Sequence, residues 1–365
     1  MPGYPLGCWV RVLSMSDPDI SYSFPPFCRV WYPTIQFTFK YHNPKTGKTV
    51  WKSINVNNCA PASNNRRSIK SDEFSITHKS SPGSDYPESY SISANIDKEV
   101  QVFLDIKRPA TVPGFKVGND EKGGYSYFGP DSKNPEGYVI HRFWPRFECE
   151  GHLVLNGGMQ PVKGPGMFVH AIQGMRPNLV ASRWNFANFQ SSEQGGVSAI
   201  QMDFTTLDTH GPKGAGSGPV VVSVGSLVVG NKLVAVTSAS KIPGQESTSS
   251  TVVSKATHLK TEVDPDTGYL KPAEILYEWA APSIASPGET YTAKLPMPVG
   301  SVASPRGLID KVDVLAEIPY VLKVAVNYVA GTKPYIYQVS HLLSASLRYI
   351  ETKTDPLYSG STLLS

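Results

Sequence analysis

Histidine and cysteine are the first residues to consider for chemistry, because they supply many of the metal ligands and nucleophiles of proteins. The chain has eight histidines and four cysteines. No histidines are spaced as H-x-H or H-E-x-x-H, and no cysteines as C-x-x-C. We therefore predict no metal site and no cofactor, and we interpret Cys8, Cys28, Cys59 and Cys149 as reduced thiols.

Serine and carboxylate catalysis are not indicated either. The chain has no G-x-S-x-G sequence, which would place a serine nucleophile on a sharp turn. Asp203 and Glu148 could act as acids or bases, but the sequence shows no paired partner for them. We predict that the protein has no catalytic residues and is not an enzyme.

One region combines large apolar side chains with a few polar ones, as small-molecule pockets do. It runs from residue 164 to residue 190, and a strand is predicted to follow over 198–204. We predict that the ligand is bound by nine residues of this region and of the strand after it: Phe168, Met175, Arg183, Trp184, Asn185, Phe186, Phe189, Met202 and Phe204. Arg183 and Asn185 are expected near the polar head of the ligand. The alternative is that the aromatic side chains fill a barrel and the polar ones fix loops.

Short β-strands must position these residues. Apolar and polar residues alternate over 35–40, 100–106 and 147–155, which is typical of strands with one buried face. Asn156-Gly157 and Gly230-Asn231 predict two-residue hairpin turns. A single helix is predicted to begin at Pro319 and to end at Gly331.

These patterns favour an all-β protein with two β-barrel-like halves, because a closed barrel leaves no exposed edge and can hold one small ligand. We predict an N-terminal domain over 28–138 and a C-terminal domain over 139–363, after a divergent segment over 1–27.

The charge and hydropathy of the chain exclude two classes of protein. The net charge of +4 is small, and Arg66-Arg67 is its only pair of adjacent arginines, so we predict no nucleic-acid partner. This pair is interpreted as part of a solvated loop, or alternatively as a contact with anionic lipid. The longest apolar run, 219–230, is too short to cross a bilayer as a helix, so we predict a soluble protein or one peripheral to a membrane.

Several long motifs resemble the fungal survival factor 1 family. The resemblance is carried by eight stretches that occur in order along the chain: His141–Arg146, Gly166–Val169, Ala171–Pro177, Trp184–Gln190, Gln201–Thr206, His258–Asp264, Val312–Pro319 and Ala330–Gln338.

The resemblance implies two tandem lipocalin-like β-barrel domains with few short helices. It implies a protein that binds ceramide or a related sphingolipid, moves it from the endoplasmic reticulum to the Golgi, and supports survival under oxidative stress. Such a protein is cytoplasmic and peripheral on both membranes, and its presence in the nucleus is left open. Family members begin with an amphipathic membrane-targeting helix. Residues 1–32 differ from it, which we interpret as a divergent or truncated N-terminus.

Two other functions are consistent with the same architecture, because a fold does not fix a function. The first is a lipocalin-fold enzyme, a cyclase or hydratase acting on a terpenoid or polyketide, which needs few polar groups in its pocket. The second is a stress-response scaffold that binds no ligand.

Overall fold

The structure is a computed structural model of the chain. It describes residues 7–13, 35–62, 67–116, 125–128, 131, 134–135, 137–173, 181–208, 218–241, 252–286, 288–313, 335–340 and 350–354. The helix predicted between Pro319 and Gly331 lies outside these residues.

The described residues form β-strands joined by turns. The first eleven are β1 (Gly7–Leu13), β2 (Gln36–His42), β3 (Thr49–Asn55), β4 (Ala60–Pro61), β5 (Ile69–Lys70), β6 (Phe74–Ser80), β7 (Glu88–Asn95), β8 (Val100–Arg108), β9 (Phe115–Lys116), β10 (Tyr125–Phe128) and β11 (Gly137–Leu155).

The remaining strands follow in the C-terminal half of the chain. They are β12 (Gly158–Gln173), β13 (Ala181–Ser191), β14 (Val197–Thr206), β15 (Val221–Val229), β16 (Lys232–Lys241), β17 (Val253–Val263), β18 (Leu270–Pro282), β19 (Glu289–Pro298), β20 (Leu308–Asp313), β21 (Tyr335–Val339) and β22 (Ile350–Thr354). A single 3-10 turn, Glu193–Gly195, lies between β13 and β14.

The chain divides into two compact units that interleave in sequence. The first consists of Met1–Ala110 and Phe147–Gly166, and the second of Thr111–Arg146 and Met167–Ser365. The predicted domain limits, 1–27, 28–138 and 139–363, stay predictions, as does the number of closed barrels.

The first unit is built on antiparallel pairs from β1 to β8. The strands β1, β2 and β3 form one sheet, and β4 to β8 pair in sequence order and continue onto the second half of β11. Along β8, Val102, Leu104 and Ile106 are buried while Phe103 and Asp105 between them are exposed. The buried faces of β2, β8 and β11 meet in one core that contains Phe37, Phe39 and Leu153.

The second unit contains two four-stranded antiparallel sheets. One has the order β13-β14-β15-β16 and the other β17-β18-β19-β22, and β20 pairs with β21 in a separate hairpin. The facing sides of the two four-stranded sheets share an apolar core that includes Phe189, Leu227, Trp279 and Leu295. We call the space between these two sides the interior of the second unit.

All regular elements among the described residues are strands, apart from the 3-10 turn, so the predicted all-β class is confirmed. Both predicted hairpin turns are confirmed as well, because Asn156, Gly157, Gly230 and Asn231 have positive φ angles between 52° and 79°. This is the left-handed conformation that a tight two-residue turn requires. Arg67, one of the two adjacent arginines, forms an ion pair with Glu88. Glu88 forms a second ion pair with Arg108, at 2.8 Å.

Candidate functional site

The strand β14 is buried along its whole length on both faces, although it carries several polar side chains. Gln201 is fully buried, Asp203 is 4% exposed and Thr205 is 7% exposed. Polar side chains rarely occupy the inside of a sheet unless they have partners or bind a ligand, because their removal from water costs free energy. The buried polar side chains of β14 therefore indicate a candidate site.

Strand pairing shows which side chains share the interior face. Residues directly opposite each other on antiparallel strands point to the same face. Gln201 pairs with Ala187 on β13 and with Gly225 on β15, and Gly225 pairs in turn with Thr237 on β16. Because Ala187 belongs to the apolar core of the interior, Gln201 and Thr237 lie on the interior face too.

The neighbouring row of the sheet is also polar. Asn185 pairs with Asp203, and Asp203 pairs with Ser223. The Ser223 hydroxyl lies 2.8 Å from the hydroxyl of Ser254 on the opposite sheet, which connects the two sheets across the interior.

A chain of hydrogen bonds crosses the same interior at Asn185. The Nε2 atom of His258 lies 2.6 Å from Asn185 Oδ1, and Asn185 Nδ2 donates to Asp203 Oδ1 at 3.4 Å. Since the amide oxygen can only accept, His258 donates through Nε2. Burial, and then the charge of Arg183, lower the pKa of His258, so its ring is neutral at pH 7.

Tyr277 completes this polar group from β18. Its hydroxyl donates to the carbonyl oxygen of Phe186 at 3.5 Å. Burial, and then the Asp203 carboxylate, raise the pKa of Tyr277 well above its usual value. The phenol therefore stays protonated and can act as a hydrogen-bond donor or acceptor.

Three interior side chains have polar atoms without hydrogen-bond partners within the described part of the chain. These atoms are Nε2 and Oε1 of Gln201, Oγ1 of Thr205 and Oγ1 of Thr237. Leaving a buried donor or acceptor unpaired costs about 1–3 kcal/mol for each group. These atoms have almost no accessible surface, and a ligand that paired with them would remove this cost.

The predicted pocket residues do not share one side of the sheet. Asn185 and Phe189 are buried on the interior face, and Arg183 lies on the same face but is exposed. Trp184 and Phe186 point the other way and are 37% and 39% exposed.

Met202 and Phe204 lie on the outer face of the same sheet, opposite Phe186 and Trp184. Both are buried, and Met202 packs with Phe143 of β11. Phe168 lies on β12, where its ring centroid is 5.2 Å from that of Trp144. Met175 lies outside the described residues.

Sequence reasoning missed most of the polar interior. Gln201, Thr205, Thr237, His258 and Tyr277 were not selected as pocket residues, although Gln201 and His258 begin two of the motifs that carried the family resemblance. The available signal was the polar residue at every second position from Gln201 to Thr205, in alternation with Met202 and Phe204.

Two residues of the motifs have a structural role instead. Arg146 is buried and donates from Nη1 to the carbonyl oxygen of Val197 at 3.3 Å and to Ser198 Oγ at 3.1 Å. Gln190 accepts a hydrogen bond from Ser198 Oγ at 2.6 Å and donates to the Pro145 carbonyl at 3.1 Å. Together they fix the first half of β11 to the hairpin between β13 and β14.

A second polar cluster holds the tip of the β17–β18 hairpin. Asp264 forms an ion pair with Lys311 at 2.9 Å and accepts a hydrogen bond from the Tyr337 hydroxyl at 2.7 Å. Burial disfavours the charged form of Asp264, but the hydrogen bonds and the Lys311 charge outweigh it and lower the pKa of Asp264 to about 2. This cluster ties the tip to the β20–β21 hairpin.

The described ranges contain neither a cluster of metal ligands nor a membrane-spanning helix. No group of three or more His, Cys, Asp or Glu side chains converges there as metal ligands would. None of the helices in those ranges is long and apolar enough to cross a membrane. Cys59 and Cys149 are free thiols, and burial raises the pKa of Cys149 to about 11, which makes it a poor nucleophile at pH 7.

The fold and the site define an antiparallel all-β protein whose interior combines an apolar core with polar side chains. The sequence model of the Svf1 family matches residues 27–360. The chain therefore belongs to the Svf1 family.

Fungal relatives show how far the similarity extends. The ceramide-binding protein svf1 of Aspergillus fumigatus is 33% identical over 310 residues, which are 85% of this chain and 67% of the relative. The protein of the same name from Schizosaccharomyces pombe is 32% identical over 342 residues, 92% of this chain and 78% of the relative. Ceramide-binding protein SVF1 of Yarrowia lipolytica is 32% identical over 323 residues, 86% of this chain and 73% of the relative.

These names are those of binding proteins and not of enzymes. Among solved structures, a Nitrosomonas europaea protein assigned as AttH aligns with 82% of this chain and 84% of its own, with a TM-score of 0.45 and 15% identity.

Proposed function

We propose that the protein binds ceramide or a related sphingolipid and carries it without changing it. The observation that supports this most is the set of unpaired polar atoms on Gln201, Thr205 and Thr237 in an interior that also has an apolar core. The relatives described above, which are named ceramide-binding proteins, support the same ligand.

The chemistry of ceramide suits such an interior. Its head carries one amide and hydroxyl groups, which donate and accept hydrogen bonds without a charge, and its chains are apolar. The head would lie beside Asn185, Asp203 and His258, whose hydrogen bonds fix their positions. The chains would contact the partly exposed apolar side chains that border the core, such as Ile275, Tyr291 and Met297. Apolar surface with a few placed polar groups is the usual composition of a lipid-binding site.

The cellular part of the proposal follows from the family resemblance. The protein would take ceramide from the endoplasmic reticulum and deliver it to the Golgi, as a cytoplasmic protein in peripheral contact with both membranes. A lower concentration of free ceramide would then contribute to survival under oxidative stress.

A vesicle assay tests the binding function. Donor vesicles containing a fluorescent ceramide are mixed with the purified protein and with acceptor vesicles, and the arrival of the probe is followed over time. We expect the protein to accelerate transfer and to return the ceramide chemically unchanged. No acceleration would contradict the carrier function, and a changed product would support the enzyme instead.

A further inference from the structure

The unpaired polar atoms of the interior allow the head group of the ligand to be defined more closely. We propose that Gln201 and Thr237 form a head-group subsite that takes an uncharged hydroxyl- or amide-bearing lipid head and excludes a phosphorylated one. This inference rests on the proposed function and deepens it, because it assigns residues and a chemical class to the bound group.

The arrangement of the sheet brings these two side chains to one place. Gln201 and Thr237 lie on either side of Gly225, in register on three adjacent strands. A Cβ atom at position 225 would lie 2.5 Å from Thr237 Oγ1, so only glycine leaves the threonine hydroxyl in place. Thr205 lies on the same face but four residues, about 13 Å, further along β14 than Gln201, which is too far for both to bind one head group.

The burial of these groups makes their unpaired polar atoms costly. Gln201 and Thr237 are both fully buried, and Thr205 is 7% exposed. An apolar side chain of similar size at any of the three positions would avoid the cost of an unpaired polar atom. A ligand that pairs with Gln201 and Thr237 would remove this cost.

The unpaired atoms also define what the ligand must offer. The Gln201 amide has two N–H donors and one carbonyl acceptor, and the Thr237 hydroxyl can donate or accept. A bound head must therefore combine donors with acceptors. A hydroxyl beside an amide satisfies this requirement, and a simple hydrocarbon does not.

The charges around the subsite disfavour a phosphate. Both residues are uncharged, and a buried phosphate is stable only with cations or many N–H donors around it. Among the described side chains of the same interior face, the charged groups are the buried Asp203 carboxylate, which repels anions, and the exposed guanidinium of Arg183, which water screens. Lys241 pairs with Val221 at the end of β16, four residues along the strand from Thr237. His258 adds no positive charge at pH 7, because its pKa is lowered.

Two variants test the subsite, because each is expected to keep or gain stability and to lose ceramide binding. Thr237→Val and Gln201→Met remove the unpaired atoms with little change in shape. In lipid-free full-length protein we expect each variant to unfold at the same temperature as the natural protein or at a higher one. In equilibrium binding of a short-chain ceramide we expect each variant to bind at least tenfold more weakly.

Ser226→Ala is the matched control, because Ser226 Oγ is also buried and unpaired within the described residues but lies on the outer face of the same sheet. We expect it to leave ceramide binding unchanged. Variants that bind ceramide like the natural protein would overturn the assignment. Variants that lose stability while keeping their binding would overturn it too, since they would show that the side chains act structurally.

The natural protein tests the head-group class without any variant. Short-chain ceramide and the same molecule carrying a 1-phosphate are compared in one titration. We expect ceramide to bind at least tenfold more tightly. Equal binding of both would overturn the exclusion of phosphate and leave the proposed function intact, whereas binding of neither would overturn the proposed function together with this inference.

Discussion

At the scale of single residues, Trp184 and Asn185 are neighbours in sequence but point to opposite faces of β13. The sequence correctly indicated that residues 183–190 form an unusual mixture of aromatic and polar side chains. It could not indicate which of them face inward, because a shift of one residue exchanges the two faces of a strand. Only the pairing with β14 decides that Asn185 lies inside.

Asn185 is expected to control the protonation of His258. In the Asn185→Asp variant, a carboxylate replaces the amide oxygen 2.6 Å from His258 Nε2. A negative charge at that distance stabilises the imidazolium, so the pKa of His258 should rise from its lowered value. The measurement is an NMR titration of the histidine ring protons, with Trp184→Ala as a control that alters the other face of β13. An unchanged His258 titration in Asn185→Asp would contradict the hydrogen-bond chain.

Asp264 is expected to stabilise the second unit in its charged form. Its pKa of about 2 in the folded protein lies below the usual value of 3.8, so its contribution is complete above pH 3.8 and is lost as the pH falls through about 2. Asp264→Asn should lower the free energy of unfolding by about 2 kcal/mol at pH 7. Chemical denaturation at several pH values measures this, and the variant and the natural protein should converge near pH 2. A constant difference across that range would show that the ion pair with Lys311 is not the cause.

At the scale of strands and turns, local sequence patterns were sufficient to predict many of the elements. The alternation over 100–106 predicted β8, and Asn156-Gly157 predicted the turn after β11, because both signals lie within a few neighbouring residues.

The long strand β11 was harder to predict. The alternation over 147–155 predicted only its second half, but the strand begins at Gly137 and continues through Pro145. Pro145 lies between Arg142 and Phe143, which pair with β9, and residues 148–155, which pair with β8. Pro145 pairs with neither β8 nor β9, and sequence alone does not reveal where these two ladders meet.

Gly225 should be intolerant of any side chain. A Cβ atom there would lie 2.7 Å from the carbonyl oxygen of Ile200 and 3.0 Å from Trp279 Nε1, which donates to that same oxygen. We expect Gly225→Ala to lower the free energy of unfolding by about 1–3 kcal/mol, as overpacking of a core typically does. Thermal unfolding measures the change.

The adjacent residue provides the comparison for this variant. Ser226→Ala also places a methyl side chain on β15, but it removes an unpaired buried hydroxyl. Its effect on the free energy of unfolding should therefore be neutral or stabilising. If both variants lost the same stability, the close approach at Gly225 would not be the cause.

At the scale of the whole molecule, one buried histidine should make stability depend on pH. Burial lowers the pKa of His141 to about 4, from 6.5 in an exposed histidine. The unfolded chain therefore binds a proton that the folded protein does not, and stability should decrease as the pH falls from 6.5 to about 4, by about 3 kcal/mol. His141→Phe should remove this part of the pH dependence in chemical denaturation. Identical slopes in both proteins would contradict the assignment.

The polar interior is also a property of the whole molecule, because no local sequence pattern could reveal it. His258 and Asn185 are 73 positions apart and meet only because the two four-stranded sheets of the second unit face each other. The composition of residues 183–190 indicated a ligand site, but the unpaired groups on Gln201 and Thr237 depend on long-range pairing. They become recognisable only once burial and hydrogen bonding are known.

The central claim is that the interior of the second unit holds an uncharged sphingolipid. The most direct measurement is native mass spectrometry, with lipid extraction, of the natural protein and of Thr237→Val purified from the same fungal host. We predict that ceramide or a close sphingolipid is enriched with the natural protein and strongly reduced with the variant. A terpenoid or polyketide in its place, no enriched lipid, or equal ceramide in both proteins would contradict the claim.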